Sequence, residues 1–289
     1  MVVVGSSKYI LVADIGATHC RLGIVDESYS IVHQMEVRTQ TLNDFPAVIN
    51  DYLEEVAHKD LRVEVGVFGA AGLVSNGHVQ LTQAPLSFSV QELLDKTALI
   101  EVHIINDAQA AGFSLGDRGL GAGMYLLVTV GTGLGVTPVI ISEGINALAS
   151  EAGHAHKPVH DRMFHDWLDE KKADLEWNDV LSGKGFEQIH EFLTGTYVRA
   201  EEITDEETID FFSKHIQSFL RDMAVTFLPK KVFLAGGIVH YRADVLKQKI
   251  KPITDERFSE PIPVEVLDND SLGMIGCAIY LRKITKPRQ

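Results

Sequence analysis

The sequence predicts an α/β protein with mixed sheets, built on an architecture used twice. Three observations predict it. Short β-rich runs alternate with stretches of helical spacing. Two of those runs end in Gly/Thr turns, Asp14-Ile15-Gly16-Ala17-Thr18 and Gly131-Thr132-Gly133-Leu134-Gly135. After each turn, further strand-like runs follow directly, so strand, turn, strand, strand occurs twice in the chain. The repeat is one of topology; the two stretches are not identical in sequence.

The elements follow in order. Tyr9–Ala13, Arg21–Val25 and Ile31–Val37 are strands joined by tight turns, an antiparallel meander. A helix follows with Asn43 as the expected cap, because Ile49, Tyr52, Leu53 and Val56 share one face. Val63–Phe68 is a strand leading to a Gly-rich turn, and Ser89-Val90-Gln91-Glu92 is a capping box opening a helix. Val102–Ile105 is a buried strand with Asn106-Asp107 at its carboxyl end. The second cycle has strands at Met124–Val130, Val136–Ser142 and Asn146–Ser150. Helices dominate from Asp161 to Phe227, with Phe186, Ile189 and Leu193 on one face and Thr204-Asp205-Glu206-Glu207 as a second capping box. Lys231–Ala235 is a strand running into Gly236-Gly237, Val264–Leu267 is the last strand, and Ser271–Lys283 is a terminal helix.

Composition narrows the class of function. The 289 residues are 45% hydrophobic, enough for one large or two ordinary domains with proper cores. The formal charge of -14 repels phosphate backbones and acidic bilayers, so neither nucleic acid nor membrane is an expected partner. A small anionic ligand stays open, because backbone amides and helix N-termini bind phosphate without Lys or Arg. Two cysteines, Cys20 and Cys277, make neither a disulfide framework nor a paired-cysteine zinc site. The Val2–Val4 run is too short for a signal-peptide core, and no apolar stretch reaches the length of a membrane span, so a cytoplasmic protein is expected.

The Gly turns fit neither the Walker nor the dinucleotide fingerprint. They do have the chemistry of phosphate loops: glycine brings backbone N–H groups close to an anion, and Thr18 and Thr132 add hydroxyl donors. Asp14 offers the hard oxygen that Mg²⁺ needs, here through water. A lone Gly-Thr-Gly is ordinary hairpin chemistry, and a lone Asn-Asp is an ordinary turn. The pairing of the turns at matching stations is what raises both above that. His154, His156, His160 and His165 form a tract that a metal could use, but no cysteine supports it.

As a set, the two turns and Gly236-Gly237 resemble the phosphate and adenosine motifs of the actin–hexokinase ATPase superfamily. The resemblance narrows further. The stretches Leu11–Leu22, Ile105–Ala108, Val130–Val136, Glu151–His154, Val180–Gly185 and Phe233–Val239 are similar, in content and order, to those of bacterial-type glucokinases, over essentially the whole chain. The cysteine-rich zinc motif of the related repressor/kinase family is missing, so the glucokinase branch fits better.

That resemblance implies a duplicated actin-like ATPase (ribonuclease H-like) fold: two α/β domains with mixed sheets around a central cleft. Residues 1–108 plus 271–289 would form the small domain and 109–270 the large one. It implies an ATP- and Mg²⁺-dependent kinase phosphorylating the 6-hydroxyl of glucose or a related hexose. Asp107 would be the catalytic base. Asn106, Asp107, Glu151, His154 and Asn178 would bind the sugar. Asp14, Gly16, Ala17, Thr18, Gly131, Thr132, Gly133, Gly236 and Gly237 would bind the nucleotide, with Asp14 anchoring Mg²⁺. A homodimer is named only as the commonest assembly.

The chain departs from the family at several places. Ala17 and His19 replace Gly and Asn in the first turn, Thr82-Gln83-Ala84-Pro85-Leu86 replaces a Thr-Asn…Trp element, and Asn178 stands where a second sugar-binding Glu is usual. Glu176 and Asp179 are near enough for a register slip to restore that carboxylate. Gln83, Leu86 and Asn178 motivate an alternative, a sugar-sensing protein weakened in catalysis. A same-fold kinase for another polyol is a third reading; Glu151 and Asp107 disfavour an anionic substrate by like-charge repulsion.

Overall fold

The computed structural model describes residues 8–81, 84–159 and 161–285. Val2–Val4, Thr82, Gln83 and His160, all named above, lie outside the described residues. The strands are β1 (Tyr9–Ile15), β2 (His19–Asp26), β3 (Ile31–Arg38), β4 (Val63–Ala70), β5 (Gly72–Ser75), β6 (His78–Leu81), β7 (Ser87–Ser89), β8 (Glu101–Asn106), β9 (Gly123–Val130), β10 (Leu134–Ile141), β11 (Ile145–Ala147), β12 (Val232–Ala235) and β13 (Val264–Val266). Two five-stranded sheets run β3-β2-β1-β4-β8 and β11-β10-β9-β12-β13. Each has its first strand in the centre, its second and third to one side and its fourth and fifth to the other. The expected duplication is therefore present in the strand order itself.

The chain divides into two compact units, one of Met1–Gly121, Ile141–Ala147 and Ser271–Gln289, the other of Ala122–Ile140 and Leu148–Asp270. In the first, β1 pairs antiparallel with β2 and parallel with β4, and β4 pairs parallel with β8. The central strands are buried almost throughout, whereas the outer β3 alternates half-buried and exposed positions, the mark of an edge with one wet face. The helix Phe45–Ala57 packs Ile49, Tyr52 and Val56 into this core, and Phe45, Phe68 and Phe88 meet at centroid distances of 4.7–6.3 Å. The helices Asp107–Phe113 and Leu272–Thr285 complete the unit.

In the second unit, β9, β12 and β13 run parallel. The 22-residue helix Glu206–Phe227 and the helix Gly183–Thr194 cover them, with ring pairs Phe186–Phe212 and Trp177–Phe219 at 4.8 and 5.2 Å. Among the described residues no helix is long and apolar enough to cross a membrane.

Some local expectations need correction. The first helix is capped by Asp44, whose carboxylate accepts from Ala47 N, because Pro46 fixes the first turn one residue later than Asn43 would. Asp205, not Thr204, caps Glu206–Phe227, accepting from Thr208 N at 2.8 Å. A charged oxygen at a helix N-terminus is favoured over a hydroxyl by the dipole. The strand expected at Asn146–Ser150 is β11, shifted to Ile145–Ala147. The Gly-rich turn after β4 hides a small sheet, β5-β6-β7. Its hairpin turns on Asn76 and Gly77, at φ 50° and 71°, the Asn-Gly signal of a two-residue loop.

Candidate active site

In the first unit the carboxyl ends of β1, β4 and β8 lie in register, with Asp14 opposite Gly69 and Ala70 opposite Asn106. Catalytic groups in α/β sheets project from such ends. After β1 the chain turns through Gly16, Ala17 and Thr18, and Gly16 N donates to His19 O at 2.9 Å. Thr39, which the sequence did not single out, holds this turn. It is fully buried, donates its hydroxyl to Gly16 O at 2.8 Å and its N–H to Thr18 O at 3.0 Å. Only a tertiary contact spanning more than 20 residues reveals it, so no local signal could have.

Asn106 ends β8 and caps the following helix, its Oδ1 accepting from Gln109 N at 3.1 Å and its Nδ2 donating to Gly72 O at 3.4 Å. Those bonds fix the backbone from which Asp107 departs. Asp107 is the first residue of the helix and is half-buried. Asp14, also half-buried, lies against Gly273 at the start of Leu272–Thr285.

In the second unit, Gly131 N donates to Gly133 O at 2.9 Å, closing the turn between β9 and β10, and Gly183 N donates to Gly131 O at 2.8 Å. The start of the helix Gly183–Thr194 is thereby tied to the turn. Gly236-Gly237, after β12, reaches the same place: a Cβ on Gly131 would lie 3.6 Å from Gly237 N. Thr132, Gly133 and Gly237 are exposed. Exposed backbone and the Thr132 hydroxyl thus share one stretch of surface, a kind of surface that can take an anion without Lys or Arg.

Glu151 precedes and His154 ends a short 3₁₀ turn, Ala152–His154, with His154 Nε2 4.0 Å from Glu151 Oε2. His154 Nδ1 is 2.9 Å from Glu176 Oε2. A pair of backbone bonds brings Glu176 there, Lys157 N to Leu175 O at 2.8 Å and Trp177 N to Ala155 O at 3.0 Å. Lys157 itself is fully buried near the Trp177 ring; burial holds its ammonium below the ordinary lysine range, against the opposing charge of Asp161. Asn178 points elsewhere: its Oδ1 accepts from Leu134 N at 2.8 Å, at the end of the Gly131–Gly133 turn. Thus Glu151, His154 and Glu176 come together, and Asn178 joins the turn instead. Among the described residues no cluster of three or more His, Cys, Asp or Glu is arranged to cage a metal.

Two sheets of one strand order, each with a Gly-bearing turn after its central strand, are the architecture of the actin-like ATPase fold. The glucokinase family profile matches residues 11–284, and the chain belongs to that family. It is a sugar kinase. The glucokinase of Colwellia psychrerythraea is 29% identical over 322 aligned residues, covering 95% of this chain and 96% of that one. A glucokinase structure from an Antarctic psychrotroph superposes with a TM-score of 0.75 at 21% identity, covering 96% of this chain and 99% of that chain. A ROK-family glucokinase of Streptomyces griseus, solved in complex with glucose and AMPPNP, gives 0.71 at 20% identity, covering 95% and 99%. At those identities the structures show the shared fold.

Proposed function

We propose that this sugar kinase transfers the γ-phosphoryl group of ATP to the 6-hydroxyl of glucose, with Asp107 as the base. What carries the reading is the pair of Gly/Thr turns at the same station of two like-ordered sheets, in a chain matching the glucokinase family from 11 to 284. The bond from the γ-phosphorus to its bridging oxygen breaks, a bond from the sugar O6 to phosphorus forms, and ADP leaves. Asp107 holds the 6-hydroxyl in line and takes its proton. Phosphoryl transfer asks mostly for positioning and charge neutralisation, so an ordinary carboxylate suffices.

Glu151 and His154 contact sugar hydroxyls, a carboxylate and an imidazole being suited to a polyol. The Gly131–Gly133 turn, Thr132 and Gly236-Gly237 receive the nucleotide, and Gly16, Ala17 and Thr18 a phosphate. Mg²⁺ fits the donors present: half-buried Asp14 supplies a hard oxygen at the end of β1, and an ion that keeps waters and phosphates as its other ligands asks for little more from the protein. When bound, Mg²⁺ offsets the charge of the phosphate oxygens. The two free, buried cysteines support a reducing, cytoplasmic setting.

A coupled assay of ADP release, with glucose and Mg-ATP, tests the reading. Wild type is expected to turn over, and Asp107→Asn to lose about 10²-fold or more in kcat. Tight glucose binding without turnover would instead favour the sensing alternative, and wild-type kcat in Asp107→Asn would remove Asp107 as the base.

A further inference from the structure

The position that matches the family's second sugar-binding Glu is Asn178, yet two features of the structure separate that residue from the sugar contacts. Its Oδ1 is engaged by Leu134 N at 2.8 Å, and the bare backbone of Gly133 lies beside it, where a Cβ would sit 3.2 Å from the same oxygen. Two residues earlier, Glu176 faces the other way. It begins the short helix Trp177–Val180 in an extended conformation, φ -102° and ψ 161°, while Asn178 is already helical. The buried Trp177 between them anchors the switch of direction.

We infer that the duty of the missing carboxylate is divided: Glu176 is a positioning residue that sets the tautomer of His154 for sugar binding, and Asn178 fixes the nucleotide turn. This rests on the glucokinase reading above. The chemistry follows from counting donors. The Glu176 side chain accepts from Asp179 N in a capping box, and its Oε2 lies 2.9 Å from His154 Nδ1. A carboxylate only accepts, so Nδ1 carries the proton, and in the neutral ring Nε2 then presents a lone pair.

That lone pair stands 4.0 Å from Glu151 Oε2 on the exposed side of both residues. Two acceptors side by side, neither able to donate to the other, call for two donors. Neighbouring hydroxyls of a sugar supply them. The Glu176 carboxylate is itself held in place, because its capping partner Asp179 takes Lys172 Nζ at 2.8 Å. Asn178 acts on the other substrate: by accepting from Leu134 N it fixes the residue that follows Gly131-Thr132-Gly133, and with it the N–H groups that meet phosphate.

The test is a split of KM values between two variants. Glu176→Gln keeps the volume and a capping oxygen, but its amide can donate to Nδ1 and so reverse the tautomer. It is expected to raise KM for glucose about tenfold and leave KM for Mg-ATP within about twofold. Asn178→Ala is expected to do the opposite. Unchanged glucose KM in Glu176→Gln, or a glucose rather than ATP effect in Asn178→Ala, overturns the division. Long-range ¹⁵N NMR of the His154 ring reads the tautomer without any turnover, in wild type and in Glu176→Gln. A wild-type ring protonated at Nε2 overturns the proposal even in a well-folded protein. A wild type that shows the Nδ1–H ring but no glucose-dependent ADP release would sink the glucokinase reading and not the tautomer assignment.

Discussion

The carboxyl group of Asp14 rests on the bare backbone of Gly273. A Cβ at that glycine would fall 2.6 Å from Asp14 Cγ and 2.8 and 3.0 Å from its two oxygens, closer than atoms pack. The terminal helix Leu272–Thr285 therefore shapes the end of β1, although nearly the whole chain separates them in sequence. Asp14 is short, so in a Gly273→Ala variant the carboxylate rotates away sooner than the helix moves. Alanine's better helix propensity, about 1 kcal/mol, offsets part of the crowding cost of about 1–3 kcal/mol. The expected result is a thermal midpoint within a few degrees of wild type and a kcat/KM lowered about 10²-fold by misplacement of Asp14. Full activity in this variant would mean that the position of Asp14 does not matter to the reaction.

Both cysteines are buried and free, and both titrate late. Burial first, and the charge of Asp14 second, push the Cys20 thiol up to about 12 from 9.0. Cys277 is raised by the same two causes, opposed by backbone bonds at Gly69 and Ala13. The folded state thus holds these protons more tightly than the unfolded one. Their contribution to stability is complete below pH 9.0 and is lost as pH rises through the window toward 12, by about 1.4 kcal/mol per pH unit for each thiol. Urea midpoints measured from about pH 8 to about pH 11 are expected to fall for wild type and to fall less steeply for the Cys20→Ala, Cys277→Ala double variant. Parallel slopes for the two proteins would contradict the assignment. At neutral pH, neither thiol in the folded protein is expected to react with a disulfide reagent.

What could be read along the chain was whatever repeats or is local. The Asp14–Thr18 and Gly131–Gly135 turns announced the two sheets because each Gly/Thr turn closes a β-rich run and opens the next. The Asn76-Gly77 hairpin carried an equally local signal, obscured by the short strands on either side, four residues each. Thr39 and Gly273 were illegible for a different reason. A threonine that pins a turn more than 20 residues away, or a glycine that makes room for a distant carboxylate, looks like any other residue until the tertiary contact is formed. The direction of Asn178 belongs to the same class, since it depends on the helix beginning after Glu176.

The cap of the helix Phe45–Ala57 gives a small and clean test of the local reading. Asp44 Oδ1 accepts from Ala47 N at 3.1 Å, whereas the expected cap, Asn43, lies one position outside the helix. Asp44→Ala leaves one N–H of the first turn without its side-chain acceptor and removes a negative charge from the positive end of the helix. A loss of about 1 kcal/mol is expected from urea unfolding, against about zero for Asn43→Ala. The reverse order would return the cap to Asn43.

Gly236 and Gly237 stand together after β12 yet answer to different constraints. Gly236 has φ 106° and ψ 169°, a region that only glycine occupies at low cost, and a Cβ there would meet Val130 O at 2.5 Å and Val130 N at 2.6 Å. Gly236→Ala is therefore expected to destabilise the unit by about 3 kcal/mol, strain and clash combined, whether or not nucleotide is present. At Gly237 an added Cβ meets, among the described residues, no atom within 4 Å beyond its own chain neighbours and helix backbone, and the residue opens the helix Gly237–Tyr241, where alanine is the better former. Gly237→Ala should then fold with a midpoint equal to or above wild type. Any rise in its KM for ATP reports the nucleotide itself, pressed against the backbone where the methyl now stands. An expected rise of about tenfold corresponds to about 1.4 kcal/mol, which the protein alone gives no reason to lose. A Gly237→Ala enzyme with wild-type KM for ATP would show that the adenosine half of the nucleotide lies elsewhere, and that this glycine pair serves only the contact between β12 and β9.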